Sequence, residues 1–567
     1  MFQNSRVEPD SISLLWRDRR RASAASSQSF GPHDDLRIEG IAEEISPYRD
    51  YTRAIRDILC TLLTDIETLA YRHEVLDDCL GQPDFTAGLA VLLPKIRGLG
   101  ETVSDIRARR HELALVLSRL TELENYVECA TELDALLQRA RPSLRAPAWH
   151  KLAEQTAQTV QDPLFQQMAA ELPELRERIR EIVSVTIGIN LSPDLRPVAA
   201  TLLSINRRRF KGPRFFRKLW GDDGEEEMRG IGPLRHAPST NGGGIMATRR
   251  ETLDRLGGNS LFGDLRKILD DVIRPINRAL AAYARVNSRA LRAIESEIAF
   301  YVGAAEMISK LRAQGLPMCK PTLLPPEERR LDARGMVNLD LALRLSRQDR
   351  GSDLGSDIVG NDARFDDEGR IHVLTGPNRG GKTTWMGAIG LLHVLAQSGL
   401  YVPAAAATLS PVDAICLHFP VEEDPEMESG RLGEEARRLR EIFSRATSQS
   451  LILMNESLAS TSATESYFLA RDVLSCLRIL DVRAVFVTHL HELAVDCGSI
   501  NDAVSGESRV QSLISEVEED ESGVRRTYRV LAAPPRGQSH AREIARQYGI
   551  SFEQLRTLVE KRPSQSG

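Results

Sequence analysis

The sequence predicts a helical first half followed by an α/β second half, built on a parallel sheet around a phosphate-binding loop. Apolar residues recurring at helical spacing point to the first half. Short apolar runs alternating with helical segments from about Pro317 onward point to the second. Within it, Ile371 to Thr384 read IHVLTGPNRGGKTT, a strand-like run that passes straight into a glycine-rich turn and then a helical pattern.

Taken in order, residues 1–40 are expected to form a mobile tail, because RASAASSQSFGPH offers few apolar groups to bury. A helical domain is expected over 41–316. Its first block runs from Pro47 to about Ile189, with Ile55, Ile58, Leu59, Leu62 and Leu63 along one face and Leu113, Leu117, Leu120 and Leu123 along another. A second block, 257–315, carries Leu265, Ile268, Leu269, Val272, Ile276 and Leu280, then Leu291, Ile294, Ile298 and Tyr301; Pro275 is expected to kink or divide it. An irregular insertion over about 206–250 separates the blocks and ends in the glycine-rich Ser239–Gly244. The α/β domain is expected over 317–538. Beyond it, Ser539 to Arg562 reads as two short helices broken at Gly549.

Composition bounds the function. At 567 residues the chain is too long for one core. Its 42% hydrophobic and 27% charged residues are ordinary for a globular protein. A net charge of −6 gives no global attraction to nucleic acid, so such binding needs a local patch. The seven cysteines form no C-x-x-C pair and argue against a disulfide frame or zinc site. No apolar stretch is long enough to span a membrane, and the arginines at 17 and 19–21 precede no apolar segment. A cytoplasmic protein with no membrane partner is therefore expected.

Gly376 to Thr383 is a full G-x-x-x-x-G-K-[ST] pattern. Its glycines let backbone N–H groups converge on phosphate oxygens, and the following helix start adds favourable partial charge. Gly376, Pro377, Asn378, Gly380, Gly381 and Thr384 are thus candidate nucleotide contacts. Lys382 is expected to reach the β- and γ-phosphates, and the Thr383 hydroxyl to ligate Mg²⁺.

The run Leu451-Ile-Leu-Met454 reads as a buried parallel strand whose carboxyl end presents Asn455 and Glu456. Glu456 stands where a water-activating base belongs. Asn455 occupies the metal-shell position with a neutral amide, a weaker ligand than a carboxylate. A plain strand-end turn is the alternative. A third run, Ala484 to Thr488, ends in His489, whose imidazole would face the γ-phosphate and position water or sense hydrolysis. His491 and Glu492 lack H-E-x-x-H spacing and read as the start of a helix.

Together these motifs resemble the ATPase domain of the MutS mismatch-repair family. GPNRGGKTT is similar to the family's phosphate loop, Leu400-Tyr-Val-Pro-Ala404 to its Y-V-P-A segment, and VTHLHEL to its T-H-x-x-E-L switch. Asn361-Asp362 matches the family's N-D pair, which implies that Asn361 helps to hold adenine. The resemblance covers about Pro317 to Arg562 and extends more weakly into the helical blocks. The fold it implies is a helical core and lever domain followed by an ABC-type P-loop ATPase domain.

Departures from the family pattern shape the expectation. No mismatch-reading domain precedes the helices, so mismatch specificity is not expected of this chain alone, and a second repair subunit has room to supply it. The usual Asp-Glu pair is Asn455-Glu456, and the trans-acting signature retains only Ser429, Gly430 and Arg431. The resemblance implies a homodimer with two composite sites, in which Ser429 and Gly430 of one copy close over ATP held by the other. It also implies DNA repair or recombination as the setting. The C-terminal helices would pack on the partner or complete their own domain.

The basic run Arg207, Arg208, Arg209, Lys211, Arg214, Arg217 and Lys218 lies where the family inserts a DNA clamp, with Phe210, Phe215, Phe216 and Trp220 interleaved. Cations and aromatics suit contact with a DNA backbone. The acidic residues from Asp222 to Glu227 follow at once, so a self-neutralising hairpin is the alternative. The expected function is a DNA-binding ATPase using ATP and Mg²⁺. A nucleotide-gated scaffold with little hydrolysis and a partner-binding ATPase without DNA contact are the other readings.

Overall fold

The computed structural model describes residues 12–18, 34–106, 112–195, 197–210, 276–281, 283, 289–348, 353–420, 430–520, 523–535 and 552–560. Helices lead: α1 (Ile38–Ile45), α2 (Thr52–Cys60), α3 (Ile66–Gly81), α4 (Pro83–Ile106), α5 (Glu112–Ala140), α6 (Pro147–Gln161) and α7 (Pro163–Arg180). A hairpin of β1 (Ser184–Leu191) and β2 (Pro197–Asn206) follows, then α8 (Arg289–Ala313).

From Thr322 onward strands and helices alternate. In order they are β3 (Thr322–Leu323), β4 (Leu331–Met336), α9 (Leu339–Gln348), α10 (Leu354–Asp357), β5 (Asn361–Phe365), β6 (Ile371–Thr375), α11 (Lys382–Ser398), β7 (Ala406–Leu409), β8 (Ile415–His418), α12 (Gly430–Arg445), β9 (Leu451–Asn455), α13 (Ala463–Ile479), β10 (Arg483–Val487), α14 (His491–Val495), α15 (Cys497–Ala503), β11 (Val510–Asp520), β12 (Gly523–Ala532) and α16 (Phe552–Glu560).

Chain contacts divide the molecule into two units. One comprises residues 1–90, 140–152 and 296–567, the other 91–139 and 153–295. The change of composition near Pro317 is therefore not a unit boundary. The reason lies in α11, which is apolar nearly all round. Residues 385–398 of this helix are buried save for Gly387, so it needs cover on two sides. One side packs on β9 and β10, and α2 and α3 pack on it from the helical region.

A six-stranded sheet in the order β12-β11-β6-β10-β9-β8 organises this unit. β6 lies between β10 and β11, parallel to both, and β9 and β8 continue the parallel run. Only β12 turns back antiparallel, along β11. A four-stranded sheet, β3-β7-β4-β5, stands beside it in the order of strands. Ile371, Val373, Ile452, Met454, Ala484 and Phe486 point one way into a core closed by Leu439, Leu474, Leu477, Leu493 and Ile500 from the helices. Such parallel strands, covered on both faces, carry their polar ligand-facing groups at their carboxyl ends.

Part of the expected tail is ordered. Ser13, Leu14 and Leu15 are buried. The Ser13 hydroxyl and Leu14 N–H both donate to Glu297 of α8, and Tyr71 and Tyr301 donate to the Ser13 and Leu14 carbonyls. Arg72 holds the Leu15 carbonyl at 3.0 Å, stacks over Trp16 and reaches the Ser398 carbonyl at the end of α11.

In the second unit the hairpin is a correction, since residues 184–189 had read as helix. Val185, Ile187, Ile189 and Leu191 alternate with Thr186, Gly188 and Asn190, which is the period of a strand, and β-branched residues favour it. Residues 257–275, including the expected kink at Pro275, lie outside the described residues; Leu291, Ile294, Ile298 and Tyr301 are buried along α8.

Candidate functional site

The five residues of β6 are all buried, and they deliver the chain into Gly376 at the carboxyl edge of the sheet. Gly376 and Gly381 have φ of +140° and +86°, which side chains resist. A Cβ on Gly376 would sit 2.8 Å from Ser515 Cβ, and one on Gly380 2.6 Å from Ser515 Oγ. Ser515, on β11, thus presses on the loop, and its hydroxyl donates to the Gly380 carbonyl at 2.6 Å.

Lys382 is buried at the first turn of α11. Its ammonium donates to the Gly376 and Pro377 carbonyls, each at 2.9 Å. Burial pushes its pKa down, and the Glu456 carboxylate opposes the shift. The Thr383 hydroxyl donates to Asn455 Oδ1 at 3.0 Å, joining the loop to the end of β9. Asn378 is exposed at the loop tip, and the Thr384 carbonyl accepts from Asn338 at 2.9 Å.

Glu456 follows β9 in a left-handed conformation, φ +49°. Its Oε1 lies 3.0 Å from His489 Nε2, just beyond β10. A carboxylate only accepts, so Nε2 carries the proton in this contact. Three neighbouring strands therefore bring Lys382, Thr383, Asn455, Glu456 and His489 to one edge.

Asn361, the residue expected to hold adenine, lines a cavity beside the loop and also braces the neighbouring strand. Its carboxamide nitrogen donates to the Tyr528 carbonyl at 2.9 Å, and its oxygen accepts from the Val530 N–H at 2.8 Å. Both ends of the amide fasten β12 to the start of β5. Beside it opens a cavity of about 400 Å³ between α9, α11 and β12, lined by Leu341, Ile358, Val359, Trp385 and Tyr528 and reaching Gly381 and Thr384 of the loop. It is a mostly apolar slot next to the glycine-rich loop. Sequence reasoning missed Tyr528 and Ser515. Both lie on the late β11–β12 hairpin, and no spacing in the sequence ties them to residue 376.

Gly430 opens α12 with φ +65°; Ser429 lies outside the described residues. Of the basic run, Arg207 is exposed and pairs with Glu181 at 2.9 Å, and the Arg208 carbonyl accepts from Ser184. Arg209 is exposed, while Lys211, Arg214, Arg217 and Lys218 lie outside the described residues. The adjoining hairpin exposes Ile189, Leu191, Leu203 and Ile205. Of the expected C-terminal pair of helices, only α16 is described, with Phe552 and Leu555 exposed. No helix among the described residues is long and apolar enough to cross a membrane.

The site is thus a strand–loop–helix turn at the carboxyl edge of a parallel sheet, with the Glu456 carboxylate at the end of the next strand but one. Two family models match the chain. Residues 64–314 match the MutS2 N-terminal domain, and residues 372–556 match MutS domain V. The chain is a MutS-related protein. It is 35% identical over 151 residues to the DNA mismatch repair protein MutS 2 of Halobacterium salinarum, covering 26% of this chain and 18% of that one. It is 34% identical over 190 residues to the Endonuclease MutS2 of Thermomicrobium roseum, covering 33% and 23% respectively. With the Endonuclease MutS2 of Shouchella clausii it shares 32% identity over 258 residues, 45% of this chain and 30% of the relative. The matched segments thus span less than a third of these relatives' length.

Proposed function

We propose that the chain is an ATPase of the MutS-related type, cleaving ATP in a site that two copies share and coupling the cycle to DNA. One observation carries the reading: Lys382, the Thr383–Asn455 contact and the Glu456–His489 pair meet at the ends of adjacent parallel strands.

The adenine would enter the slot lined by Trp385 and Tyr528, with the phosphates on the loop N–H groups. Lys382 would exchange its two loop carbonyls for phosphate oxygens, so the charge is already in place. The Thr383 hydroxyl and Asn455 carboxamide oxygens, 3.0 Å apart, are hard ligands that suit Mg²⁺. Bound there, Mg²⁺ would neutralise charge on the β- and γ-phosphates. Glu456 takes the proton of the attacking water while the γ-phosphorus parts from the bridging oxygen of ADP, and His489 holds the carboxylate in line. The partner's Ser429 and Gly430 segment would close the far side, and Arg207 to Arg209 with the rest of the basic run would meet the DNA backbone.

ATP hydrolysis measured with and without duplex and branched DNA tests the reading. Lys382→Ala is expected to weaken ATP binding about 10–100-fold, the loss of charged hydrogen bonds. Glu456→Gln is expected to retain binding and lose about 10²–10⁴-fold in kcat. Normal turnover in either variant refutes the assignment. The neutral Asn455 amide favours a second reading, a nucleotide-gated scaffold with little hydrolysis. Faint turnover in the natural chain that rises in Asn455→Asp would select it.

A further inference from the structure

Behind the catalytic edge lies a cluster of buried polar groups that the chemistry above leaves unused. His418, at the end of β8, is fully buried. Its Nε2 lies 3.1 Å from the Glu435 backbone carbonyl on α12, and its Nδ1 lies 2.6 Å from the Ser457 hydroxyl. A carbonyl only accepts, so the ring proton is on Nε2. Burial pushes the ring's pKa down and keeps it neutral, so Ser457 donates to Nδ1.

The Glu435 side chain is only 3% exposed, and its Oε2 accepts the Leu458 N–H at 2.7 Å. The Leu458 carbonyl accepts from Ser466, and the Glu456 N–H reaches the Val487 carbonyl at 2.8 Å. Apart from the His418–Glu435 bond, which ties β8 to α12, these bonds converge on the three-residue turn 456–458. In that turn Glu456 and Leu458 both sit in the left-handed region, φ +49° and +64°. Two such residues in three persist only where their surroundings fix them. A carboxylate is costly to take out of water, and this one is aimed at the backbone of the turn that presents the proposed base.

We infer that Glu435 is a positioning residue for Glu456, with the His418–Ser457 pair as a second anchor. Holding the Leu458 N–H fixes the turn and so the aim of the Glu456 carboxylate. Since Glu435 rides on α12, which starts at Gly430, that aim also depends on where α12 sits. A contact that shifts the start of α12 is thereby felt at the base. The inference rests on the ATPase reading above.

The test compares ATP turnover and equilibrium binding of fluorescent ATP in the full chain and three variants. In Glu435→Ala, kcat is expected to fall about tenfold or more with ATP affinity held within about twofold, because the base is misaimed and the cradle is untouched. Glu435→Gln keeps an oxygen acceptor for the Leu458 N–H and should recover most of the loss. Ser457→Ala should lower kcat several-fold, again without loss of affinity. The inference is overturned by a wild-type kcat in Glu435→Ala, by parallel losses of kcat and affinity, or by no recovery in Glu435→Gln. Should Glu435→Ala fail to fold, wild-type turnover in Ser457→Ala overturns it. If the natural chain binds ATP and does not cleave it, the ATPase reading falls and takes this inference with it. Turnover in the natural chain with an indifferent Glu435→Ala removes this inference alone.

Discussion

At the scale of single residues, Asn361 and Tyr528 meet at the same slot beside the loop. Asn361 sits in a recognisable N-D pair, yet both ends of its amide bind the backbone at Tyr528 and Val530. The ring that lines the slot belongs to Tyr528, in a left-handed conformation of φ +59° that the Asn361 contact helps to hold. Stacking of a planar base on such a ring contributes about 0.5–1.5 kcal/mol. Tyr528→Ala should therefore weaken ATP binding roughly 3–10-fold. Tyr528→Phe should bind as the natural chain does. Inorganic triphosphate, which has no base, should bind equally to all three, and titration with both ligands checks this. If Tyr528→Ala weakens triphosphate as much as ATP, the ring is supporting the loop and not the base.

Among the secondary elements, legibility in the sequence followed locality. The loop was readable because Gly376 to Thr383 are consecutive and their chemistry is set by their own backbone. Glu456 and His489 were readable because each ends an apolar run, and parallel strands bring such ends to one edge. Ser515 was not, because its pressure on Gly376 depends on the register of β11 against β6, which pairs residues far apart in the chain. The start of β1 was misread because its isoleucines and valines satisfy either period over a short window. The helix α11 shows what the local pattern conceals: apolar on every side, it reads as one more core helix while it joins the sheet to α2 and α3. Leu395 on it is fully buried. Leu395→Ala should cost about 2–5 kcal/mol by leaving a cavity. Denaturant unfolding is the measurement, and a loss under about 1 kcal/mol would mean that the surroundings collapse into the gap.

At the level of the whole molecule, three of the four buried histidines among the described residues set an acid limit. Burial holds His73 and His372 at about 4 and His393 at about 3, against an ordinary value of 6.5. Their folded pKa values are lowered, so the native state keeps them neutral where the unfolded chain takes up protons. Stability is then fully present above pH 6.5 and declines as pH falls from there toward 4. The slope is about 1.4 kcal/mol per pH unit for each histidine. Chemical unfolding at pH 7 and pH 5 should show a loss of several kcal/mol, and equal stabilities would show that these rings are hydrated in the folded state. His73→Gln should flatten part of the slope.

The Ser13–Trp16 segment has a consequence for how the chain is made. Its partners are Tyr71 and Arg72, emerging soon after it, but also Glu297 and Tyr301, and through Arg72 the tail of α11 at Ser398. On the ribosome, this segment must wait for some three hundred further residues before its docking place exists, and for about four hundred before the last brace arrives. Throughout that interval the sticky sides of α2 and α3 lack their cover, which invites chaperone capture of nascent chains. By the same logic, a fragment starting near Pro317 would leave α11 bare on its outer flank and be prone to precipitate when expressed alone.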